Sequence, residues 1–369
     1  MKKIFIILPD LGDGGAEKLS VNLFQEWSKL NFDVYFVLIK KAGIFAKKIP
    51  KKKIFILKEK NFINSIFKLK KIFSEKKPDF ILSSMWPLTS ITVLSWLLSG
   101  RRGKLFLSDH TIISQSAKYE IKYPLILIKY VMRLTYKYAN GIIAVSKAVK
   151  TDLKKLLNFK NEEHIKVIYN PITKNSKLNL KLNEEEKRLS KKIWGNYKFK
   201  ILNVGKLKTQ KNHKLLIEAI LNCKNIKNIR LVIVGTGELM NQLKKKILSH
   251  NLDKNILLLG HRQDLKIYYK TADLFVLTSD WEGFSNVTAE ALEYGLPVIT
   301  TDYRYGPVEI LDKGKYGTII NSKKSQNLTI AIDQNLKKKH DRKKLFNRSK
   351  IFNIKKISNS YLNFFKNDF

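Results

Sequence analysis

Two carboxylates stand eight residues apart in the stretch from Ser279 to Leu292: Glu282 and Glu290. The apolar run Leu274–Leu277 ahead of them reads as a strand, and the stretch itself opens a helix. Glu282 then falls in a loop and Glu290 one or two turns inside the helix. The backbone N–H groups of Gly283, Phe284, Ser285, Asn286 and Val287 would form that helix's N-terminus, which favours an anion. A carboxylate with both oxygens available accepts hydrogen bonds from two vicinal hydroxyls, as on a ribose or a hexose. By spacing alone, Glu290 equally suits a structural cap or ion pair.

Other loops after apolar runs carry glycine or charge. Gly12-Asp13-Gly14-Gly15 follows Ile4–Leu8 and precedes a helical pattern. Its glycines would let the backbone approach a ligand closely, or simply make a βα turn. The spacing is not G-x-G-x-x-G, so a dinucleotide loop is not expected. Asp13 either faces a ligand or caps the helix. The loop from Gly205 holds Lys206 and Lys211, two cations suited to an anionic leaving group, although 62 lysines make coincidence a fair alternative. Gly235 and Gly237 follow Leu231–Val234. His110 follows Leu105–Leu107, where a lone histidine suits either a ligand contact or a satisfied polar position.

The elements that must position these loops show as short, near-continuous apolar runs, the pattern of strands buried on both faces. In the first half they are Ile4–Leu8, Val34–Ile39, Ile54–Leu57, Phe80–Leu82, Leu105–Leu107 and Ile142–Val145. In the second half they are Ile201–Val204, Leu231–Val234, Ile256–Leu259, Leu274–Leu277, Val298–Thr300 and Thr318–Ile320. Helical spacing lies between them, as in Leu19, Leu23, Trp27 and Leu30, or Leu215, Leu216, Ala219 and Ile220. The alternation predicts two doubly wound α/β domains, residues 1–172 and 199–345. Residues 173–198 lack strand runs, include Glu184-Glu185-Glu186, and read as a linker with room for a short helix. Residues 346–369 predict a helical tail whose Ile354, Ile357, Tyr361, Phe364 and Phe365 pack back on the first domain.

Composition narrows the class. The 369 residues are 44% hydrophobic and 28% charged, enough for two cores and too apolar for disorder. The single cysteine, Cys223, makes no internal disulfide. Pro9 and Asp10 cut the apolar start too early for a signal peptide, so a cytoplasmic protein is expected. The net charge of +40 is spread, and only nine of the 71 basic residues are Arg. That distribution fits compositional bias better than a nucleic-acid surface, with attraction to an anionic membrane as a compatible consequence. The densest block, Lys40 to Lys77, holds 14 Lys against Glu59 and Glu75 and is the first candidate for lipid contact. Phe80 to Leu98 is apolar but broken by Pro87, so no membrane span is expected. Tyr123 to Tyr138 mixes Leu, Ile and Tyr with Lys129, Arg133 and Lys137, as in an interfacial helix or an ordinary buried one.

Taken together, the motifs resemble glycosyltransferase family 4, the retaining GT-B glycosyltransferases also called glycosyl transferases group 1. The E-x7-E spacing with Glu282-Gly283-Phe284 is similar to the family's signature, as is Glu290-Ala291 running on through Gly295, Pro297, Val298 and Ile299. Gly14-Gly15-Ala16-Glu17 resembles its first loop, Gly141 to Ser146 its "iiavS" strand, and Gly205 to Ala219 its "GrL-x3-K" segment. Gly306-Pro307-Val308-Glu309-Ile310-Leu311 resembles a variant found in surface-polysaccharide pathways. The resemblance covers most of the chain and departs from the pattern at Lys206, where the family usually has Arg.

The resemblance implies two Rossmann-like domains facing a central cleft, and transfer of a sugar from a nucleotide sugar, most simply UDP-linked, with anomeric configuration retained. It places Glu282 on the sugar hydroxyls, Glu290 on the ribose and Lys206 and Lys211 on the diphosphate. Gly14, Gly15, Gly205, Gly235, Gly237 and the segment Gly283 to Val287 would line the donor, with His110 and Asp13 toward the sugar and acceptor. The acceptor expected is a glycan, lipid-linked, at the inner membrane face, with the enzyme peripheral there. No cofactor and no metal are expected: aspartates two apart do not occur, and the six histidines are scattered. A nucleotide-sugar 2-epimerase of the same fold is the nearest alternative, and a basic nucleic-acid-binding protein a remote one.

Overall fold

The computed structural model describes residues 1–159, 163–301 and 304–366. The chain forms two compact units: Met1–Ile172 together with the segment from Phe352 onward, and Thr173–Ile351.

The first unit is built on β1 (Lys3–Leu8), β2 (Asp33–Leu38), β3 (Ile54–Ile56), β4 (Phe80–Ser84), β5 (Lys104–Asp109), β6 (Gly141–Ala144) and β7 (Ile165–Val167). They pair in parallel in the order β3-β2-β1-β4-β5-β6-β7. The order reverses between β1 and β4, and such a switch point opens a crevice at the carboxyl ends of the strands. Strand β7 is missing from the sequence expectation because Lys166 interrupts a three-residue edge strand and leaves no apolar run.

The helix Ile354–Lys366 completes this unit. Trp27, fully buried on the helix Gly15–Lys29, donates from Nε1 to the Ser358 carbonyl at 3.2 Å. The Phe365 ring lies 4.5 Å from Phe106, 5.5 Å from Phe80 and 5.6 Å from Trp27, centroid to centroid. Gly141 makes room for this layer, since a Cβ there would stand 2.7 Å from the Phe364 ring.

The second unit holds β8 (Phe199–Val204), β9 (Ile229–Val234), β10 (Ile256–Leu258), β11 (Leu274–Leu277), β12 (Val298–Thr300) and β13 (Thr318–Ile319). The order is β10-β9-β8-β11-β12-β13, again all parallel, with its switch point between β8 and β11. Residues 173–198, read above as a linker, are part of this unit. Asn183 and Glu186 form a capping box that starts the helix Glu184–Trp194. The Glu186 carboxylate accepts from Lys270 Nζ at 2.8 Å and pairs with Lys266 at 3.1 Å. Trp194 is fully buried and donates to Thr271 Oγ1 at 2.8 Å. Glu293 Oε1 accepts from the N–H of Lys174 and, at 2.7 Å, of Asn175. The helix Arg342–Ser349 also belongs to this unit, with Arg342 donating to the Ala272 carbonyl and Arg348 to that of Ile310, each at 2.9 Å.

Two expectations follow. Phe365→Ala empties a fully buried aromatic site and should cost about 3–5 kcal/mol in urea unfolding, whereas Phe67→Ala, at a position 73% exposed, should stay within about 0.5 kcal/mol. Lys270, then the Asn183 N–H and Lys266, hold the Glu186 carboxyl down at about 2. Its contribution to stability is therefore complete above its ordinary value near 4.5 and fades as pH falls toward 2. The difference in Tm between the wild type and Glu186→Gln should shrink over that interval; a difference that persists at pH 2 would show that the carboxylate is not its source.

Candidate active site

The loops that flank the second unit's switch point carry most of the residues singled out above. The first follows β8 and runs from Gly205 to Asn212, where the helix His213–Leu221 begins. The second follows β11 and runs to Ser285, the cap of the helix Asn286–Glu293. They are laced together by backbone and side chain. The Asp280 N–H donates to the Gln210 carbonyl at 2.8 Å, Gln210 Nε2 to the Trp281 carbonyl at 2.6 Å, and Thr278 Oγ1 to the Lys211 carbonyl at 2.9 Å.

At the centre of this lacing, Lys211 Nζ donates to Glu282 Oε1 at 2.5 Å, and Ser279 Oγ donates to the same oxygen at 2.7 Å. Both charged side chains are largely buried, 15% and 10% exposed. Lys206 is on the first loop too but is exposed. Glu282 is braced from behind as well. Its carbonyl accepts from the Gly306 N–H at 3.2 Å, and a Cβ at Gly306 would stand 2.5 Å from the Gly283 carbonyl oxygen. That close approach is a physical reason for the glycine in the Gly306–Leu311 segment.

Glu290 is 7% exposed, and its Oε2 accepts from the Tyr269 hydroxyl at 2.9 Å. Tyr269 comes from the short helix Lys266–Thr271 and stacks on Tyr294, with ring centroids 5.7 Å apart and ring planes nearly parallel. Burial, and then the Glu290 charge, push the Tyr269 hydroxyl well above its ordinary value, so it remains a donor at any ordinary pH. In the same stretch Phe284 is buried, and Ser285 Oγ accepts from Thr288 Oγ1 at 2.9 Å, while Asn286 and Val287 are half-buried.

The third loop, after β9, lies backbone to backbone against the first. Leu207 donates to the Thr236 carbonyl at 2.9 Å, and Leu239 to that of Leu207 at 3.0 Å. Gly235 has φ +149°, and a Cβ on it would stand 1.9 Å from the Gly205 carbonyl oxygen; one on Gly237 would stand 2.3 Å from that of Leu207. Neither position admits a side chain.

In the first unit, Asp13, Gly14 and Gly15 follow β1, and His110 follows β5, on the carboxyl edge of the sheet. The cap of the helix Gly15–Lys29 is Gly14, with Asp13 exposed one residue before it. His110 Nε2 is 3.1 Å from Ser108 Oγ, and burial pushes the imidazole down to about 4, so it is neutral near pH 7. Beside it, burial raises the Asp109 carboxyl to about 7, and the Tyr136 hydroxyl donates to it at 3.0 Å.

Sequence spacing misses Tyr269, Gln210 and Asp109, whose partners lie 21, 71 and 27 residues away. Ser279, three residues before Glu282, was within reach of a local reading. A cavity of about 380 Å³ beside Tyr316, Lys344 and Arg348 involves none of the candidate residues. Among the described residues, no cluster of three His, Cys, Asp or Glu suits a metal ion. No described helix is long and apolar enough to cross a membrane.

Known proteins place this architecture. Residues 13–175 match the family described as Glycosyltransferase Family 4, and residues 184–351 match Glycosyl transferases group 1. The chain is 28% identical to a Campylobacter jejuni N-acetylgalactosaminyltransferase acting on N-acetylgalactosamine-N,N'-diacetylbacillosaminyl-diphospho-undecaprenol, over 93% of this chain and 94% of that one. It is 44% identical, over 27% of each chain, to an Escherichia coli UDP-Gal:alpha-D-GlcNAc-diphosphoundecaprenol alpha-1,3-galactosyltransferase. Among solved structures, Anabaena HepE in complex with UDP-glucose superimposes with a TM-score of 0.80 at 21% identity, over 98% of this chain and 99% of that one. The chain belongs to glycosyltransferase family 4, the group 1 glycosyl transferases, and has their GT-B fold of two Rossmann-like domains.

Proposed function

We propose that this enzyme moves a hexosyl or N-acetylhexosaminyl group from a UDP-sugar to a lipid-linked glycan, with retained anomeric configuration and without a metal ion, in bacterial surface-polysaccharide synthesis. The observation that carries the reading is the Lys211–Glu282 pair at the switch point, in the same unit as a buried Glu290 held by Tyr269. The pair supplies one cation for a diphosphate and one carboxylate for sugar hydroxyls. Glu290 supplies an acceptor for the two ribose hydroxyls. The names of the Campylobacter and E. coli relatives support an undecaprenyl-diphosphate acceptor, and the E. coli name supports UDP.

In the proposed reaction the anomeric carbon–oxygen bond to the diphosphate breaks as the acceptor hydroxyl bonds to the same face. The hydroxyl proton passes to the departing phosphate oxygen. Lys211 leaves Glu282 for the diphosphate, joined by Lys206 from the same loop, and together they stabilise the charge that develops on it. The backbone of Gly205, Gly235, Gly237 and Gly283 to Val287 lines the donor. Asp13, Gly14, Gly15 and His110 are on the carboxyl edge of the first sheet, and we assign the acceptor side to that edge. His110 is neutral there and accepts or donates a hydrogen bond without bringing charge.

Thermal-shift titration with UDP, GDP and ADP tests the donor assignment. UDP at 100 times its Kd should stabilise the wild type by about 2.7 kcal/mol. In Glu290→Gln the affinity should fall about 10- to 100-fold, because hydrogen bonds to a charged group are worth about 1.5–3 kcal/mol. A full UDP shift in that variant would remove Glu290 from the nucleotide. With an acceptor supplied, Lys211→Ala should lower kcat/KM at least about 100-fold. Conversion of the sugar nucleotide with no acceptor present would point to an epimerase instead.

A further inference from the structure

We propose that the outer face of the helix Leu125–Tyr136, with the turn before it, docks on an anionic lipid bilayer. Every exposed residue of this helix is apolar or aromatic: Ile126, Leu127, Tyr130 and Leu134. Ile126 is 79% exposed and Tyr130 63%. The opposite face, with Ile128, Met132 and Tyr136 fully buried, already faces the core. The outer stripe therefore leaves much apolar surface in water, in a chain whose residues are 28% charged. Tyr123, in the turn, and Leu98, on the helix Leu88–Leu98 that packs against this one, are also more than half exposed.

Charge identifies the occupant. Residues 118–138 carry five basic side chains and one acidic, Glu120. Lys129 and Arg133 sit half-buried on the helix flanks, and Lys122 and Lys137 are exposed at its two ends. Apolar groups ringed by cations, with tyrosines at the border, match the acyl and headgroup layers of an anionic membrane. A second copy of the chain would set the same cations against each other across a two-fold axis. The denser Lys40–Lys77 block is less suited. The exposed residues of its helix Ser65–Lys76 are four lysines, Glu75 and a single aromatic, Phe67.

The patch also reaches the carboxyl edge of the first sheet. The Tyr123 ring meets Trp86 edge-on at 5.8 Å, just past β4, and the Met85 N–H donates to Ser108, two residues before His110. On the reading of a lipid-linked acceptor, docking would deliver that acceptor's headgroup to this edge from the bilayer plane.

Sedimentation of the full chain with phosphatidylcholine vesicles, with and without phosphatidylglycerol, tests the proposal. The wild type should bind the anionic vesicles, and Ile126→Ser/Tyr130→Ser/Leu134→Ser should weaken binding about 10-fold or more. Lys122→Gln/Lys129→Gln/Lys137→Gln should weaken binding and remove the preference for phosphatidylglycerol. Both variants should keep the wild-type Tm and UDP shift, which shows them folded. Equal binding by the serine variant would overturn the proposal, as would a wild type that ignores the vesicles or a dimer that the serine variant dissolves. Vesicle binding by a wild type that UDP does not stabilise would leave the docking face standing and sink only the donor assignment.

Discussion

Each strand in both sheets runs parallel to its neighbours, and the rest of the molecule follows from that pairing. A parallel neighbour is reached only by a crossover, so helices cover the sheet faces and the strands are buried on both sides. All βα loops of a sheet then emerge on one edge. Where the strand order reverses, two adjacent loops leave in opposite directions and no helix fills the space between them. The loops after β8 and β11 are such a pair, and they hold Lys211 and Glu282.

The ion pair between those loops explains how two charges survive where water is mostly excluded. A half-lost pair in such a place costs about 3–5 kcal/mol, because the remaining charge is left uncompensated. Glu282 has a second donor in Ser279, and Lys211 is held through its backbone by Thr278. Each charge is thus positioned before any ligand arrives. A ligand with its own anion and hydroxyls can replace both partners at once, so neither charge need be stranded during the exchange.

Much of the fold is legible in the sequence because buried parallel strands read as apolar runs, and that signal fails where burial does. The edge strand β7, split by Lys166, leaves no run to find. In the segment 173–198 the acidic residues suggest solvent. What ties it to the second unit is Glu186 on Lys270, a partner 84 residues away. The site divides in the same way. Glu282, Glu290 and Lys211 stand in local patterns, and the glycines mark loops that must touch. Tyr269 has no local signature, since a tyrosine on a six-residue helix points at Glu290 only after the sheet has formed. The helix Leu125–Tyr136 could be read two ways from its composition, and the structure shows why: one face is buried and the other is apolar and exposed.

The first unit is assembled from two stretches separated by the whole of the second. During synthesis, the sheet face that carries Phe80 and Phe106 emerges long before Phe365, which covers it. The second unit is complete in sequence by residue 351 and is free to form while the first still lacks a layer. The nascent enzyme therefore passes through a state with one finished domain and one with an open aromatic face, the kind of surface that chaperones hold and that aggregation exploits. Completion of the first unit waits for the helix Ile354–Lys366, so a ribosome that stops before it releases a chain with that face uncovered.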